Sequence, residues 1–211
     1  MQIVILASDS QRRELDHGTT DNVIWIQHEG DFLEHSSADA FLDLNYTNTS
    51  GRNNVLGKLL PKLVVINSVA ETLRETNDSF VRINAWNTFL SSSVLEASAN
   101  NGEVKKTTEE MFARFGKSVE WLQDEPGFIM ARVVSMIINE AYMALNEGVS
   151  TKEEVDTAMK LGTNYPYGPF EWAQKIGLRN VVDFLQKLSL AQPRYEPAAL
   201  LVEEAFANKK I

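Results

Sequence analysis

Few side chains in this sequence belong to the types that carry protons, attack carbonyls or hold metals. There is no cysteine. That excludes thiolate nucleophiles, disulfides and cysteine–metal sites together, and fits a reducing compartment. The three histidines, His17, His28 and His35, fall in polar stretches without a partner at fixed helical spacing and read as solvated loop side chains. His28, Asp31 and His35 have metal-ligand chemistry, but their spacing is that of a loop and matches no zinc pattern, so no metal is expected. No Walker loop and no Gly-x-Ser-x-Gly elbow is present.

The elements that must position any chemistry divide the chain in two. In the first half, short apolar runs of strand length and β-branched or aromatic content recur at Ile3 to Ala7, Val23 to Gln27, Ala40 to Leu44, Leu63 to Ile66 and Phe80 to Ala85. Polar stretches and one expected helix around Asn54 to Leu60 separate them. Such alternation suggests a parallel α/β sheet. The interval from Gln27 to Ala38 is too short for a full crossover helix, so this half reads as a trimmed α/β domain over residues 1–125.

From Thr107 the pattern becomes helical. Thr107 and Glu110 have capping-box spacing ahead of Met111, Phe112 and Phe115, with Gly116 as C-cap. Ser118 to Gln123 reads as one more strand. After Pro126-Gly127, apolar residues spaced for a broad helical face run from Phe128 to Asn146, and Gly148 ends the helix. Ser150 or Thr151 starts another helix to Leu161, which Gly162 stops. Pro169 suits the first position of the next. Helices over Val181 to Leu190 and Pro197 to Ala207 complete an all-α domain over residues 126–211.

Composition narrows the partners. Hydrophobic residues make up 44% and charged residues 23% of the 211 residues, ordinary values for a soluble globular chain. The formal charge of -9 repels phosphate backbones, so nucleic acid is not expected. The start lacks the basic region of a signal peptide, and no apolar run approaches the roughly 20 residues that span a bilayer. The expectation is a cytoplasmic protein that does not enter membranes.

Specific motifs then appear in order. The segment DTAMKLGTNYPYGPFEWAQKIGL (Asp156 to Leu178), the preceding FGKSVEWLQDEPGFIMAR, and the pairs Glu140-Ala141 and Glu147-Gly148 are similar to the signature of the 3-hydroxyacyl-CoA dehydrogenase C-terminal domain. The resemblance implies a Rossmann-type N-terminal domain, a helical C-terminal domain that forms a dimer, NAD as hydride carrier and an acyl-CoA substrate. By packing chemistry alone, Trp172, Phe170, Tyr165 and Tyr167 are core and interface residues.

The same resemblance locates the chemistry, and most of it has been replaced. The family's first strand leads into G-x-G-x-x-G, whose glycines let a diphosphate approach a helix N-terminus. Here Leu6, Ser8 and Gln11 stand at the glycine positions, and Asp9 adds a negative charge. Ser8, Asp9 or Ser10 reads as an ordinary N-cap. The acidic residue that would hold the ribose hydroxyls aligns with Gln27. The catalytic H-F-F-N-P segment aligns with Asn84-Ala-Trp-Asn87-Thr, which puts Asn84 at the histidine and Glu96 at its carboxylate partner. A carboxamide donates a hydrogen bond but relays no proton, and losing a general base costs about 10²–10⁴ in rate. That is about 3–5 kcal/mol of barrier. The family's N-T-S turn appears as Asn67-Ser68-Val69, where Val69 donates nothing although Ser68 is adjacent. The asparagine before the arginine of G-F-I-x-N-R is Ala131.

The stretch that would carry the family's CoA-holding arm is His28 to Asp39. It contains four acidic residues and no Lys or Arg, although Lys58, Lys62 and Arg82 are close in sequence. The chain also ends before the aromatic G-x-G-F-Y typical of the family, which implies one C-terminal contact fewer. The main expectation is therefore a family member with lost or impaired activity. It would act as a dimeric interaction module or bind an acyl-CoA-related ligand, and no cofactor is expected. The alternative is an active NAD-dependent 3-hydroxyacyl-CoA dehydrogenase of fatty-acid metabolism with an altered site around Glu96. A third reading is an unrelated enzyme that uses the cleft for another reaction.

Overall fold

The structure, a computed structural model, describes residues 1–16 and 21–207. It divides into two compact units, Met1–Phe128 and Ile129–Ile211.

In the first unit the chain runs β1 (Ile3–Leu6), α1 (Asp9–Leu15), β2 (Val23–Ile26), α2 (Asp31–Glu34), β3 (Ala40–Asp43), α3 (Ser50–Gly57), β4 (Leu63–Asn67), a 3₁₀ turn at Leu73–Glu75, β5 (Val81–Ile83), β6 (Val94–Ala99), α4 (Glu103–Ala113) and β7 (Ser118–Trp121). The sheet order is β2-β1-β3-β4-β5-β6-β7. Only the β5–β6 pairing is antiparallel. The central strands β1, β3 and β4 are nearly continuous runs of apolar residues because both sheet faces are covered there. Alternation then sorts them: Ile3, Ile5, Leu42 and Val65 join one core with Met111 and Phe112 of α4. Val4, Leu6, Phe41 and Ile66 join the other with Phe32 of α2 and Leu56 of α3.

The short interval after β2 has room for one helical turn, Asp31–Glu34. The chain therefore crosses from β2 to β3, on the opposite side of β1, almost directly. That reversal beside β1 creates a topological switch point, where a crevice opens outside the carboxyl ends of β1 and β3.

Three local expectations are corrected. Thr107 does not cap a helix: α4 begins at Glu103 after Gly102, and Thr108 donates its hydroxyl back to Val104 O. The helix expected around Asn54 to Leu60 starts earlier, at Ser50, because Thr49 caps it. Gly162 does not stop its helix, which continues to Thr163 and ends on Asn164 in the left-handed conformation.

The second unit comprises α5 (Met130–Asn146), α6 (Lys152–Thr163), α7 (Pro169–Ile176), α8 (Leu178–Ser189), a 3₁₀ turn at Pro193–Tyr195 and α9 (Ala199–Ala207). Its core includes Val134, Ile138, Tyr142, Phe170, Trp172, Phe184 and Leu201. The Tyr142 and Phe170 rings meet edge-on at 4.9 Å. Asp156 caps α7 from a distance in sequence, accepting from Phe170 N at 2.8 Å and Glu171 N at 3.2 Å. A Cβ at position 168 would lie 2.2 Å from the Asp156 Oδ1, so this approach requires Gly168. No described helix is long and apolar enough to cross a membrane.

Candidate functional site

The residues singled out in the first unit gather at the carboxyl ends of β1, β4 and β5 and on the facing part of β6. Asn84 directly follows β5, and its N–H donates to Glu96 O on antiparallel β6 at 3.1 Å. The ladder therefore makes the two residues neighbours. Their side chains also meet: Asn84 Nδ2 donates to Glu96 Oε2 at 2.9 Å. Asn84 is only 2% exposed, and its Oδ1 is buried without a hydrogen-bond partner. Leaving such an acceptor unpaired costs about 1–3 kcal/mol. Asn84 thus offers the Glu96 carboxylate a hydrogen-bond donor, and a carboxamide does not titrate near neutral pH.

Ser68 follows β4, with its hydroxyl turned to Glu71, 3.0 Å from the carbonyl and 3.2 Å from the carboxylate. Its hydroxyl is thus engaged within its own turn. Val69 is buried. Ala131 is a fully buried residue of α5 in the second unit.

The first turn after β1 has become a closed polar lock. Leu6 is the last residue of β1 and packs into the core. Of the three candidate caps it is Ser8 that serves: it accepts from Gln11 N at 3.3 Å, while Gln11 Oε1 accepts from Ser8 N at 3.0 Å. The other end of the Gln11 amide donates to Leu44 O beyond β3 at 2.8 Å and to Ala85 O beyond β5 at 3.3 Å. Asn67 Nδ2 donates to the same two carbonyls at 3.0 and 3.3 Å. Gln11 is 5% exposed. It spans the switch-point crevice from the side where a diphosphate would have to approach.

A buried ion pair sits beside it. Arg52 of α3 binds Asp43, at the end of β3, through Nε at 2.6 Å and Nη2 at 2.7 Å, and also contacts Glu29. Burial by itself would lower the arginine pKa, but the hydrogen bonds and charges of Asp43 and Glu29 outweigh it and raise it. Burial pushes the Asp43 carboxyl up, with Arg52 pulling it the other way through the ion pair. The cluster links the segment after β2 to the end of β3, across the region an adenosine ribose would occupy in this topology. Gln27, at the ribose-binding position, is exposed, and its N–H donates to Asp31 at 3.3 Å.

These residues do not fit a dinucleotide. No glycine opens the first turn, the crevice is crossed by Gln11, and Asp9 and Asp43 place carboxylates where phosphate and ribose would come.

Arg82, close in sequence to the expected cleft, is instead fully buried. It donates to Asp124 at 3.0 Å, to Glu71 O at 2.9 Å and to Glu125 O at 2.6 Å, and its guanidinium lies 4.1 Å from the Phe128 ring centre. Burial lowers its pKa against the pull of Asp124. Lys62 donates to Ser36 O, and Lys58 is exposed. Asp31, which shares a loop with His28 and His35, accepts from the N–H groups of Gln27 and His28. Among the described residues no group of three or more His, Asp or Glu is placed to hold a metal; His17 lies outside them. The locks made by Gln11, Asn67 and Arg52 had no sequence motif to announce them. The one available signal was Gln11, a large polar residue at a position where the resemblance puts a glycine.

Comparison with known proteins agrees with the fold. Residues 127–211 match the family model described as "3-hydroxyacyl-CoA dehydrogenase, C-terminal domain". The chain is 43% identical over 93 residues to 3-hydroxyadipyl-CoA dehydrogenase of Escherichia coli, a match covering 43% of this chain and 20% of that protein. It is 30% identical over 155 residues to the mitochondrial hydroxyacyl-coenzyme A dehydrogenase of Mus musculus, covering 71% of this chain and 48% of that protein. Each match spans less than half the length of the curated relative. The crystal structure of (S)-3-hydroxybutyryl-CoA dehydrogenase PaaH1 from Ralstonia eutropha superimposes with a TM-score of 0.75 at 19% identity, covering 98% of this chain and 93% of that one. At that identity the likeness shows the fold alone.

Proposed function

Since the chain belongs to the 3-hydroxyacyl-CoA dehydrogenase family, we propose that it is a member without dehydrogenase chemistry, acting as a dimeric module that interacts with other molecules or holds an acyl-CoA-related ligand. The observation that carries this reading is the Asn84–Glu96 pair. Hydride removal from the carbon that bears a hydroxyl requires a base to take the hydroxyl proton. Here the side chain facing Glu96 at 2.9 Å is an amide. The Gln11 bridge and the Arg52–Asp43–Glu29 bridge support the same reading by filling the crevice a nicotinamide cofactor would need. Dimerisation through the second unit is supported by apolar side chains left exposed on α5, such as Val133 at 50%, and by Ile129 just ahead of it at 56%. A cytoplasmic location is the companion proposal.

NADH fluorescence tests the cofactor half: no enhancement or shift is expected on titrating the protein. Reduction of acetoacetyl-CoA by NADH tests the chemistry, with no turnover above the protein-free rate expected.

A second reading, an active NAD-dependent dehydrogenase with an altered site, draws on the retained Glu96 and its place beside the β5 end. Turnover that disappears in Glu96→Gln would establish that reading in place of the first.

A further inference from the structure

We propose that Asn101 is a site of spontaneous covalent modification, converted to aspartate and isoaspartate by attack of the Gly102 backbone nitrogen on its side-chain amide. This concerns the surface of the first unit and does not rest on the functional reading above.

Asn101-Gly102 is the sole Asn-Gly pair in the sequence. It lies in the turn between β6 and α4, and both residues are exposed. The reaction needs a backbone nitrogen that can reach the amide carbon, and a donor that steadies the charge forming on the amide oxygen. Gly102 carries no side chain to shield its nitrogen, and even a Cβ built there would meet nothing within 4 Å. The peptide therefore has room to turn toward the amide, and glycine permits the widest range of turns. Among the described residues the Gly102 N–H makes no hydrogen bond. The oxygen is already held: Asn101 Oδ1 accepts from Glu103 N at 2.9 Å. Glu103 opens α4, so the positive end of the helix dipole also faces this oxygen. A donor aimed there in advance stabilises the negative charge that gathers as the carbon becomes tetrahedral.

The step consumes only water. Hydroxide takes the Gly102 amide proton, and the nitrogen forms a bond to Asn101 Cγ. The Cγ–Nδ2 bond breaks and Nδ2 leaves as ammonia, which closes a five-membered succinimide. Water then opens the ring. Cleavage of the new Cγ–N bond gives aspartate, and cleavage at the main-chain carbonyl gives isoaspartate.

Asn77 is a control within the same chain. Its Oδ1 accepts from Ser79 N, also at 2.9 Å, but the residue that follows is Asp78. The Asp78 side chain crowds the nitrogen, and its charge opposes loss of the amide proton. Asp78 is also tied down, accepting from Asn100 Nδ2 at 2.9 Å.

The two products differ in structure. Aspartate keeps the oxygen that accepts from Glu103 and adds a negative charge where the helix dipole favours it. Isoaspartate lengthens the main chain by a methylene just ahead of α4 and loses the turn. Val104, in the first turn of α4, packs against the core that Met111 and Phe112 fill, so the loosening reaches the sheet.

The test is to age the full chain in mildly alkaline buffer at physiological temperature, then digest it and analyse the peptides by mass spectrometry. The Asn101 peptide is expected to gain the mass of an amide-to-acid exchange and to split into two chromatographic forms. The Asn77 peptide is expected to convert at least about tenfold more slowly. Gly102→Ala is expected to slow conversion at Asn101 at least about tenfold. The backbone there, at φ -67 and ψ -25, accepts alanine, and circular dichroism checks the fold. Asn101→Asp is expected to melt with the unaged chain, and the isoaspartyl fraction below it. Absence of conversion in the folded chain overturns the proposal, whether or not the urea-unfolded chain converts. Equal rates at Asn77 and Asn101, or an unchanged rate in Gly102→Ala, overturn it as well.

Discussion

Three carboxamides dominate the residue scale: Gln11 stands at a position where the family has glycine, Asn84 where it has histidine, and Asn67 lies beside them at the end of β4. Gln11 and Asn67 donate to the same carbonyls, Leu44 O and Ala85 O, so they act as cross-ties between strand ends. Gln11→Ala should therefore lower stability by about 1–2 kcal/mol, measured from urea midpoints, since it leaves buried groups less well paired. Gln11→Gly should cost more, because a glycine also loosens the first turn. Asn84 and Glu96 should show coupling of about 0.5–2 kcal/mol in a double-mutant cycle of the two alanine variants. Coupling near zero would mean that the 2.9 Å contact contributes no stability. That outcome would weaken the case for a purely structural pair.

At the scale of elements, two tight contacts set how segments join. In the second unit, Asp156 caps the N-terminus of α7 and crowds position 168. Gly168→Ala should cost about 1–3 kcal/mol through this clash. The penalty should shrink when the change is made in an Asp156→Gly background, where the crowding atoms are gone. Thermal melts of the four chains give the comparison, and an undiminished penalty would assign the cost to the backbone instead. In the first unit, Arg82 ties β5 to the segment from Asp124 to Phe128. Arg82→Met should cost about 3–5 kcal/mol, because it removes one partner of a buried ion pair and frees two carbonyls. Chemical denaturation followed through the first unit's tryptophan environment would register the loss.

At the scale of the whole molecule, each unit has its own buried core, one in two layers about a sheet and one among helices. Residues 129–211 expressed alone should keep a helical circular-dichroism spectrum and a cooperative melt. A non-cooperative melt would show that this core depends on the rest of the chain.

Much of this architecture was readable from residue order. Strand-length apolar runs in the first half mark a doubly covered sheet, because a strand buried on both faces has no reason to alternate with polar residues. The Gly, Pro and apolar spacing after residue 126 marks a helical unit, since those residues act on the local backbone. The pairing of Asn84 with Glu96 could be anticipated from their spacing once the strands were placed. Other features were decided only by tertiary structure. Nothing local marks Arg82 as buried, because a buried arginine is written in sequence like an exposed one and is identified by Asp124, 42 residues away. Thr107 has the spacing of a cap, yet the helix begins a turn earlier, and a cap exists only where the backbone leaves the helix. Gln11 reads as an ordinary polar residue until β3 and β5 bring Leu44 and Ala85 to it. Patterns within a few residues report what the backbone does nearby. Partners tens of residues apart are chosen by the packing of the sheet, and that choice set Gln11 against Leu44 and Ala85.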